Sequence, residues 1–226
     1  GVEGKVLNKN DLQTQYPSLL KGVGAIFYYR DSSTIPSNIT KFLSKLFCQS
    51  GGKVIESCSV QDFEIKKDQI LSVRTESSQI PCSRVVLAAG AWTPQLAAKL
   101  NLKVPIEPAK GYSIDIPRWG NAPKIPMILE GEKIVINPMQ DKIRFAGYLD
   151  LAGYDDSIPK SRVKGLLRIV KQYFGDFCLP SSLKVTPWSG LRPCTSDGLP
   201  IIGRAFKWKN VYLATGHSMT GVSLGP

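Results

Sequence analysis

The chain has 226 residues, 42% of them hydrophobic and 21% charged, which is enough apolar material for a real core and argues against disorder. Its 29 Lys and Arg outnumber 18 Asp and Glu for a formal net charge of +11, yet these cations are spread along the whole chain. Nucleic-acid binders concentrate basic residues on a stripe or in a module, so a basic surface or an anionic small ligand is expected and nucleic acid is not.

No window approaches the roughly 18 apolar residues of a membrane span, and the first residues lack the apolar stretch of a secretory signal. Five cysteines (Cys48, Cys58, Cys82, Cys178 and Cys194) lie scattered with a single histidine, a pattern of neither a disulfide framework nor a zinc site. A reducing cytoplasm is the expected compartment.

In chain order, IFYYR (26–30) reads as a strand, followed by the polar loop DSSTIPSN. Phe42, Leu43, Leu46 and Phe47 recur at helical spacing, with Ser37 as the expected N-cap and Gly51–Gly52 as the stop. KVIESCSV (53–60) has strand composition. DFEIKKDQILSVRT holds two alternating runs about Lys67–Asp68, a hairpin pattern. Val85 to Ala89 form an apolar run, expected as a parallel strand buried on both faces. Ala88 to Ala91 are all small, and Thr93–Pro94 predicts an N-cap and first residue of a helix whose inner face is Leu96, Ala97 and Leu100. A strand, small turn and helix put backbone N–H groups at the carboxyl end of a sheet, either as a ligand site or as a plain connection.

Between 104 and 150, prolines at 105, 108, 117, 123, 126 and 138 separate short alternating segments, which suits an antiparallel or mixed sheet. SRVKGLLRIVKQYFG (161–175) predicts an amphipathic helix with Val163, Leu166, Leu167, Val170 and Phe174 inside, closed by Gly175. WSGLRPCTSDGLPIIGR (188–204) sets Arg192 between Leu191 and Pro193, ahead of a turn at 195–198 and an apolar run, Leu199 to Ile202, expected as a buried strand. Such an arginine is either a packing element or a ligand for an anion. Val211 to Ala214 predict a strand, and the turn Gly216–Gly221 after it should open a helix. The fold class is α/β with a mixed α+β part.

Four blocks carry a resemblance: GGKVIESCSV, RVVLAAGAWTPQLAAKL with VPIEPAKGYS, WSGLRPCTSDGLPIIGR, and LATGHSMTGVSLGP. In this order, from about residue 51 to the end, they resemble the FAD-dependent D-amino-acid oxidase superfamily, most closely its D-amino-acid dehydrogenase small-subunit and glycine oxidase type members. The resemblance implies a partial FAD-binding Rossmann-like domain (41–103 and 190–226) and a mixed or antiparallel-sheet substrate domain (1–40 and 104–189). It also implies that Arg192 pairs with the α-carboxylate of an amino-acid substrate, for which a planar guanidinium fork is suited, in the oxidation of the C–N bond of an amino acid or related amine. Hydride transfer to flavin then needs positioning more than acid–base help.

By the same resemblance, Gly216, His217, Ser218, Met219, Thr220 and Gly221 form a turn that approaches the isoalloxazine, although His217 also reads as a solvated turn residue. Ala89, Gly90 and Ala91 form a small-residue turn that admits FAD closely, with Trp92 beside it, and Val60 meets the adenine. Glycine oxidase type members place a tyrosine on the strand corresponding to Lys133–Asn137. None stands there, and Tyr148 is the nearest candidate.

The family's strand–GxGxxG–helix is missing: the nearest attempt, Gly22-Val23-Gly24, has Phe27 where the third glycine belongs. The expectation is therefore a fragment lacking that N-terminal segment and its last helix, which alone binds FAD weakly or not at all and does not turn over. The intact protein would oxidise a C–N bond, with oxygen or a membrane quinone chain as acceptor and a cytoplasmic or peripheral membrane location. The alternatives are a tRNA-modifying or secondary-amine oxidase of the same superfamily, or a non-catalytic module that has lost its cofactor. Oligomeric state and substrate stay open.

Overall fold

A computed structural model describes residues 3–22, 24–30, 32–175 and 185–225. Val23 and Cys178 lie outside the described residues. Along the first part of the chain run β1 (Gly4–Asn8), α1 (Lys9–Gln15), β2 (Gly24–Tyr28), α2 (Pro36–Gln49), β3 (Val60–Lys66), β4 (Gln69–Thr75) and β5 (Gln79–Pro81). Then come β6 (Val85–Leu87), a single 3-10 turn (Gly90–Trp92), α3 (Thr93–Ala98), β7 (Ile106–Pro117), β8 (Met127–Leu129), β9 (Ile134–Pro138) and β10 (Lys142–Leu151). The chain ends in α4 (Lys160–Phe174), β11 (Thr186–Thr195), β12 (Ile201–Arg204), β13 (Val211–Thr215) and α5 (Gly221–Leu224). These elements divide into two compact units: Gly1–Ser33, Lys110–Asp150 and Asp155–Gly190 in one, and Thr34–Ala109, Leu151–Tyr154 and Leu191–Pro226 in the other.

The first unit is built on a five-stranded sheet of order β11-β7-β10-β9-β8, with β9 antiparallel to both β10 and β8. Alternation along these strands puts Tyr112, Ile114, Ile116, Ile134, Ile136, Ile143 and Phe145 into one core, where α4 covers them. α4 buries Leu166, Ile169, Val170, Tyr173 and Phe174. The expected face included Val163 and Leu167, which are only partly buried; the helix is rotated so that Ile169 and Tyr173 take their places. β1 and β2 pair antiparallel around α1, whose Asn8 and Asp11 form a reciprocal capping box. The predicted strand at 26–30 begins earlier, at Gly24, and stops at Tyr28.

A chain of polar contacts runs along one end of this unit. Lys110 is only 1% exposed, and its ammonium meets the Asp155 carboxylate at 2.6 Å and the Ser157 carbonyl at 3.0 Å. Asp155 also accepts from the Ser157 N–H and hydroxyl at 3.0 and 2.8 Å. Two residues from Lys110 on β7, the Tyr112 hydroxyl donates to Asp150 at 3.0 Å, and the same carboxylate takes a bidentate pair from Arg162 at 2.9 and 2.6 Å.

In the second unit β3, β4 and β5 form an antiparallel meander, with the predicted two-residue turn at Lys67–Asp68 closing Lys66 onto Gln69. A separate sheet has the order β12-β13-β6, in which β13 is antiparallel to β12 and parallel to β6. Phe63, Ile70, Val85, Leu87, Ala97, Leu100, Val104, Trp208 and Val211 share its core. The Asn210 side chain helps join the two sheets: it donates to Ile70 O at 2.7 Å and Ser83 O at 3.1 Å and accepts from Ile70 N at 3.0 Å.

Five local expectations are corrected here. β6 is not buried on both faces, since Val86 is 59% exposed on the uncovered side of its sheet. Residues 53–59 form no strand; only Val60 enters one. Ser37 is not the N-cap of α2, because Pro36 takes the first helical position and Ile35 the cap. Thr93 lies inside α3 with Trp92 as its cap, and its hydroxyl is used elsewhere. Leu199 and Ile202 are 64% and 65% exposed, so the run at 199–202 is no buried strand. By contrast, Gly51 and Gly52 stop α2 as expected, their N–H groups returning to Cys48 O and Phe47 O as a Schellman pair.

Two predictions follow from these contacts. Asn210→Ala leaves the buried Ile70 N–H and carbonyl without partners, and chemical denaturation is expected to show a loss of about 2–4 kcal/mol; a loss below about 0.5 kcal/mol would mean the clamp is dispensable. The Lys110 ammonium, then the Ser157 donors, hold the Asp155 carboxyl down to about 2. A lowered carboxyl pKa adds stability above its unfolded value and loses it as pH falls through the folded one. This contact should therefore persist below pH 4 and open near pH 2, read as the midpoint of the Asp155 side-chain NMR shift. A midpoint near the ordinary 3.8 would refute it.

Candidate functional site

β6 and β13 run parallel with Leu87 opposite Leu213, so their carboxyl ends lie side by side. In open α/β sheets this is where ligands bind, because the strands end there and the following turns present backbone groups. Beyond β6 the chain makes the turn Ala88–Trp92, and beyond β13 it makes the turn Gly216–Gly221.

The first turn has almost no side chain of its own to hold it. Gly90 sits at φ +54 with no heavy atom within 4 Å of where a β-carbon would stand. Its carbonyls are held from outside. Ala89 O accepts from Trp92 N at 3.0 Å, Gly90 O from the Thr215 hydroxyl at 3.1 Å, and Ala91 O from the Tyr154 hydroxyl at 3.0 Å. Thr93 in turn donates to Thr215 at 3.1 Å, with both threonines buried. The rings of Tyr154 and Trp92 lie 6.4 Å apart. Burial, and secondarily Glu107, pushes the Tyr154 phenol above its ordinary range.

The second turn is tied to β11. Gly216, buried at φ +79, packs where a β-carbon would stand 2.9 Å from the Thr195 methyl and 3.4 Å from Ile201 N. Ser218 N donates to Pro193 O at 3.1 Å, which sets the turn beside Arg192. Thr220 closes it, its N–H and hydroxyl both reaching His217 O at 2.8 Å. Arg192 is half-buried within β11, an edge strand, where Pro193 can be tolerated. Met219 and Trp92 are exposed.

Of the residues singled out in the sequence, Ala89, Gly90, Ala91, Trp92, Arg192 and the turn Gly216–Gly221 thus gather at one end of one unit. Val60 stands elsewhere in that unit, at the start of β3 opposite Thr75. Tyr148 belongs to the other unit. It sits on β10 at φ +63, with the Arg162 guanidinium 4.7 Å from its ring centre and its hydroxyl filling the space that a side chain at Gly165 would need. Sequence reasoning missed Thr215 and Tyr154: a strand-end threonine and a loop tyrosine carry no local signal, and their partners are 125 and 63 residues away. Among the described residues no cluster of His, Cys, Asp and Glu could hold a metal ion, and no helix is long and apolar enough to cross a membrane.

A protein-family model described as FAD dependent oxidoreductase matches residues 1–226. A D-amino acid dehydrogenase of Vibrio cholerae serotype O1 is 31% identical over 230 aligned positions, covering 98% of this chain and 53% of that protein. The D-amino acid dehydrogenase of Granulibacter bethesdensis is 34% identical over 228 positions, covering 98% and 54%. The chain thus spans about half the length of the curated relatives it matches. Among solved structures, glycine oxidase from Bacillus cereus superposes with a TM-score of 0.87 at 22% identity, over 100% of this chain and 62% of that one. L-proline dehydrogenase from P. horikoshii gives 0.84 at 22% identity, over 98% and 61%. These two likenesses show the fold, a mixed α/β architecture with several antiparallel sheets.

The two turn glycines differ in what surrounds them, and their alanine variants should differ too. Gly216→Ala meets both a disfavoured φ and the packed Thr195 methyl, so a loss of about 2–4 kcal/mol is expected, whereas Gly90→Ala should cost about 1 kcal/mol from φ alone. Thermal unfolding of both variants checks this; equal losses would contradict the described packing.

Proposed function

The chain belongs to the FAD dependent oxidoreductase family, and on that premise we propose that it forms the flavin-facing and substrate-facing parts of a D-amino-acid dehydrogenase. One observation carries this reading: Ser218 N on Pro193 O joins the arginine strand to the Gly216–Gly221 turn, which follows one of two parallel strands whose carboxyl ends lie side by side with the side-chain-poor turn Ala88–Trp92.

The residues fit the edge of a flavin. Ala88 to Ala91 and the open side of Gly90 leave backbone reachable by a flat ring, and Gly216 lets the second turn lie close to its strand. We assign Ala89, Gly90, Ala91, Trp92 and Gly216 to Gly221 to the isoalloxazine side, with His217 acting through its backbone, and Val60 to the adenine side. The sequence carries no GxGxxG for the pyrophosphate, so the hold of these residues alone on FAD is expected to be weak. FAD, when bound, supplies the acceptor for the hydride.

The chain's own residues bind and orient. Arg192 presents two parallel donors to the substrate carboxylate and keeps its charge at any working pH, while Pro193 restricts the backbone beside it. With the carboxylate held, the α-carbon is presented in one orientation, which is the larger part of what this reaction requires. Residues 41–103 and 190–226 would make up the cofactor side, 1–40 and 104–189 the substrate side, and Tyr148 is the candidate second contact to the substrate.

In the FAD-loaded protein, Arg192→Lys should raise KM for a D-amino acid roughly 10- to 100-fold, the effect of losing a charge-assisted bidentate pair. Steady-state kinetics against several D-amino acids and one amine measures it. A KM within about a factor of two of wild type removes Arg192 from the substrate site.

A further inference from the structure

We propose that Thr215 and Tyr154 are positioning residues for the flavin: they aim the peptide planes of the Ala89–Trp92 turn, and Thr215 does so through a relay from Thr93. This rests on the reading that the turn faces the isoalloxazine.

The argument begins with the poverty of the turn. Ala89, Gly90 and Ala91 have no polar side chain, and Gly90 at φ +54 occupies a region in which glycine is intrinsically mobile. A turn of this composition holds one conformation only if its backbone polar groups are captured. Here three successive carbonyls are captured by three donors of different origin: the Trp92 N–H, the Thr215 hydroxyl and the Tyr154 hydroxyl. In a trans peptide the C=O and the following N–H point in opposite directions. Fixing the Gly90 carbonyl therefore fixes the direction of the Ala91 N–H, and fixing the Ala89 carbonyl does the same for the Gly90 N–H.

Thr215 is suited to this task by its own partners. Its oxygen accepts from the Thr93 hydroxyl at 3.1 Å, so its one proton is committed to Gly90 O. Both threonines are within 2% of full burial, which excludes competing water. Tyr154 acts from the half-exposed side, with its ring near Trp92 and its hydroxyl on Ala91 O. It comes from the Leu151–Tyr154 segment, which belongs to the same compact unit as the turn. Thr215 also immediately precedes Gly216, so one residue couples the turns after β6 and β13.

The test uses the flavin-loaded protein, with FAD dissociation constant, visible flavin spectrum and flavin reduction potential as readouts. Thr215→Val keeps the shape and removes the hydroxyl; it should weaken FAD binding roughly 5- to 50-fold, in line with stranded buried partners, and shift the spectrum and potential. Thr215→Ser, which restores the hydroxyl, should return all three close to wild type. Tyr154→Phe should weaken binding by a smaller factor, and it stays informative if Thr215→Val fails to fold.

Gly90→Val serves as the control for the underlying reading, because its branched side chain fills the open side of the turn. If Gly90→Val binds FAD as wild type does, the turn does not face the flavin and this proposal falls with that reading. If Gly90→Val abolishes binding while Thr215→Val and Tyr154→Phe leave affinity, spectrum and potential unchanged, the positioning role alone is overturned. A loss in Thr215→Val that serine does not rescue also overturns it, since packing rather than the hydroxyl would then be responsible.

Discussion

The parallel pairing of β6 with β13 is the constraint on which the geometry of the candidate site rests. It brings together Val85 to Leu87 and Val211 to Leu213, segments from opposite parts of the chain, and places their carboxyl ends in register. Parallel strands cannot be joined by a tight turn and pair slightly less stably than antiparallel ones, and here groups outside the ladder add to its hold. Asn210, one residue before β13, bonds both polar groups of Ile70 and the carbonyl of Ser83, while its own carbonyl accepts from Val85 N at 2.9 Å. At the far end, Thr215 performs a similar office through Gly90 and Thr93. Clamps at both ends and Val211, Leu87 and Val85 in the core between them leave the two following turns little freedom to shift.

The consequence for the site is that precision comes from hydroxyls and carbonyls more than from charge. Apart from Arg192 and His217, the residues gathered there carry no ionisable side chain. A site of this kind can admit a large planar ligand closely and still orient it, because the backbone itself supplies donors and the donors are aimed by buried side chains. Arg192 then has a distinct task. It is held in a strand whose next residue, Pro193, is bonded to the second turn, so under the proposed reading the substrate anchor and the flavin-facing backbone would be mechanically linked.

The other unit solves a different problem with ion pairs. Lys110 is nearly inaccessible, yet it stays charged because Asp155 and the Ser157 carbonyl replace the water it loses. Tyr112, Asp150 and Arg162 continue that polar line toward Tyr148, which keeps a left-handed backbone in the middle of a strand. A non-glycine residue in that region costs free energy and persists only where its surroundings over-determine it, as the Arg162 guanidinium, the Tyr112 ring and the side-chain-free Gly165 do here.

Much of this was legible in the residues alone. Period and punctuation placed α2, α4, the Lys67–Asp68 hairpin, the proline-interrupted sheet and the small turns after β6 and β13, because amphipathic spacing and glycine act locally. Four sequence blocks pointed to the FAD-linked family to which the chain belongs. Apart from the Ser37 cap, displaced locally by Pro36, the errors share one cause. Burial of Val86 and Leu199, the strand at 53–59 and the capping of Thr93 each depend on what lies across the fold, and an apolar run reads the same whether or not anything covers it. Thr215 on Gly90, Tyr154 on Ala91 and Asn210 on Ile70 join residues far apart in the chain, through one hydrogen bond each in the first two cases and two in the third. The sequence by itself determined which turns could approach a ligand, since that needs only small residues and strand ends. Only the tertiary structure decided how those turns are aimed, because a hydroxyl gains a direction only when its distant partner is in place.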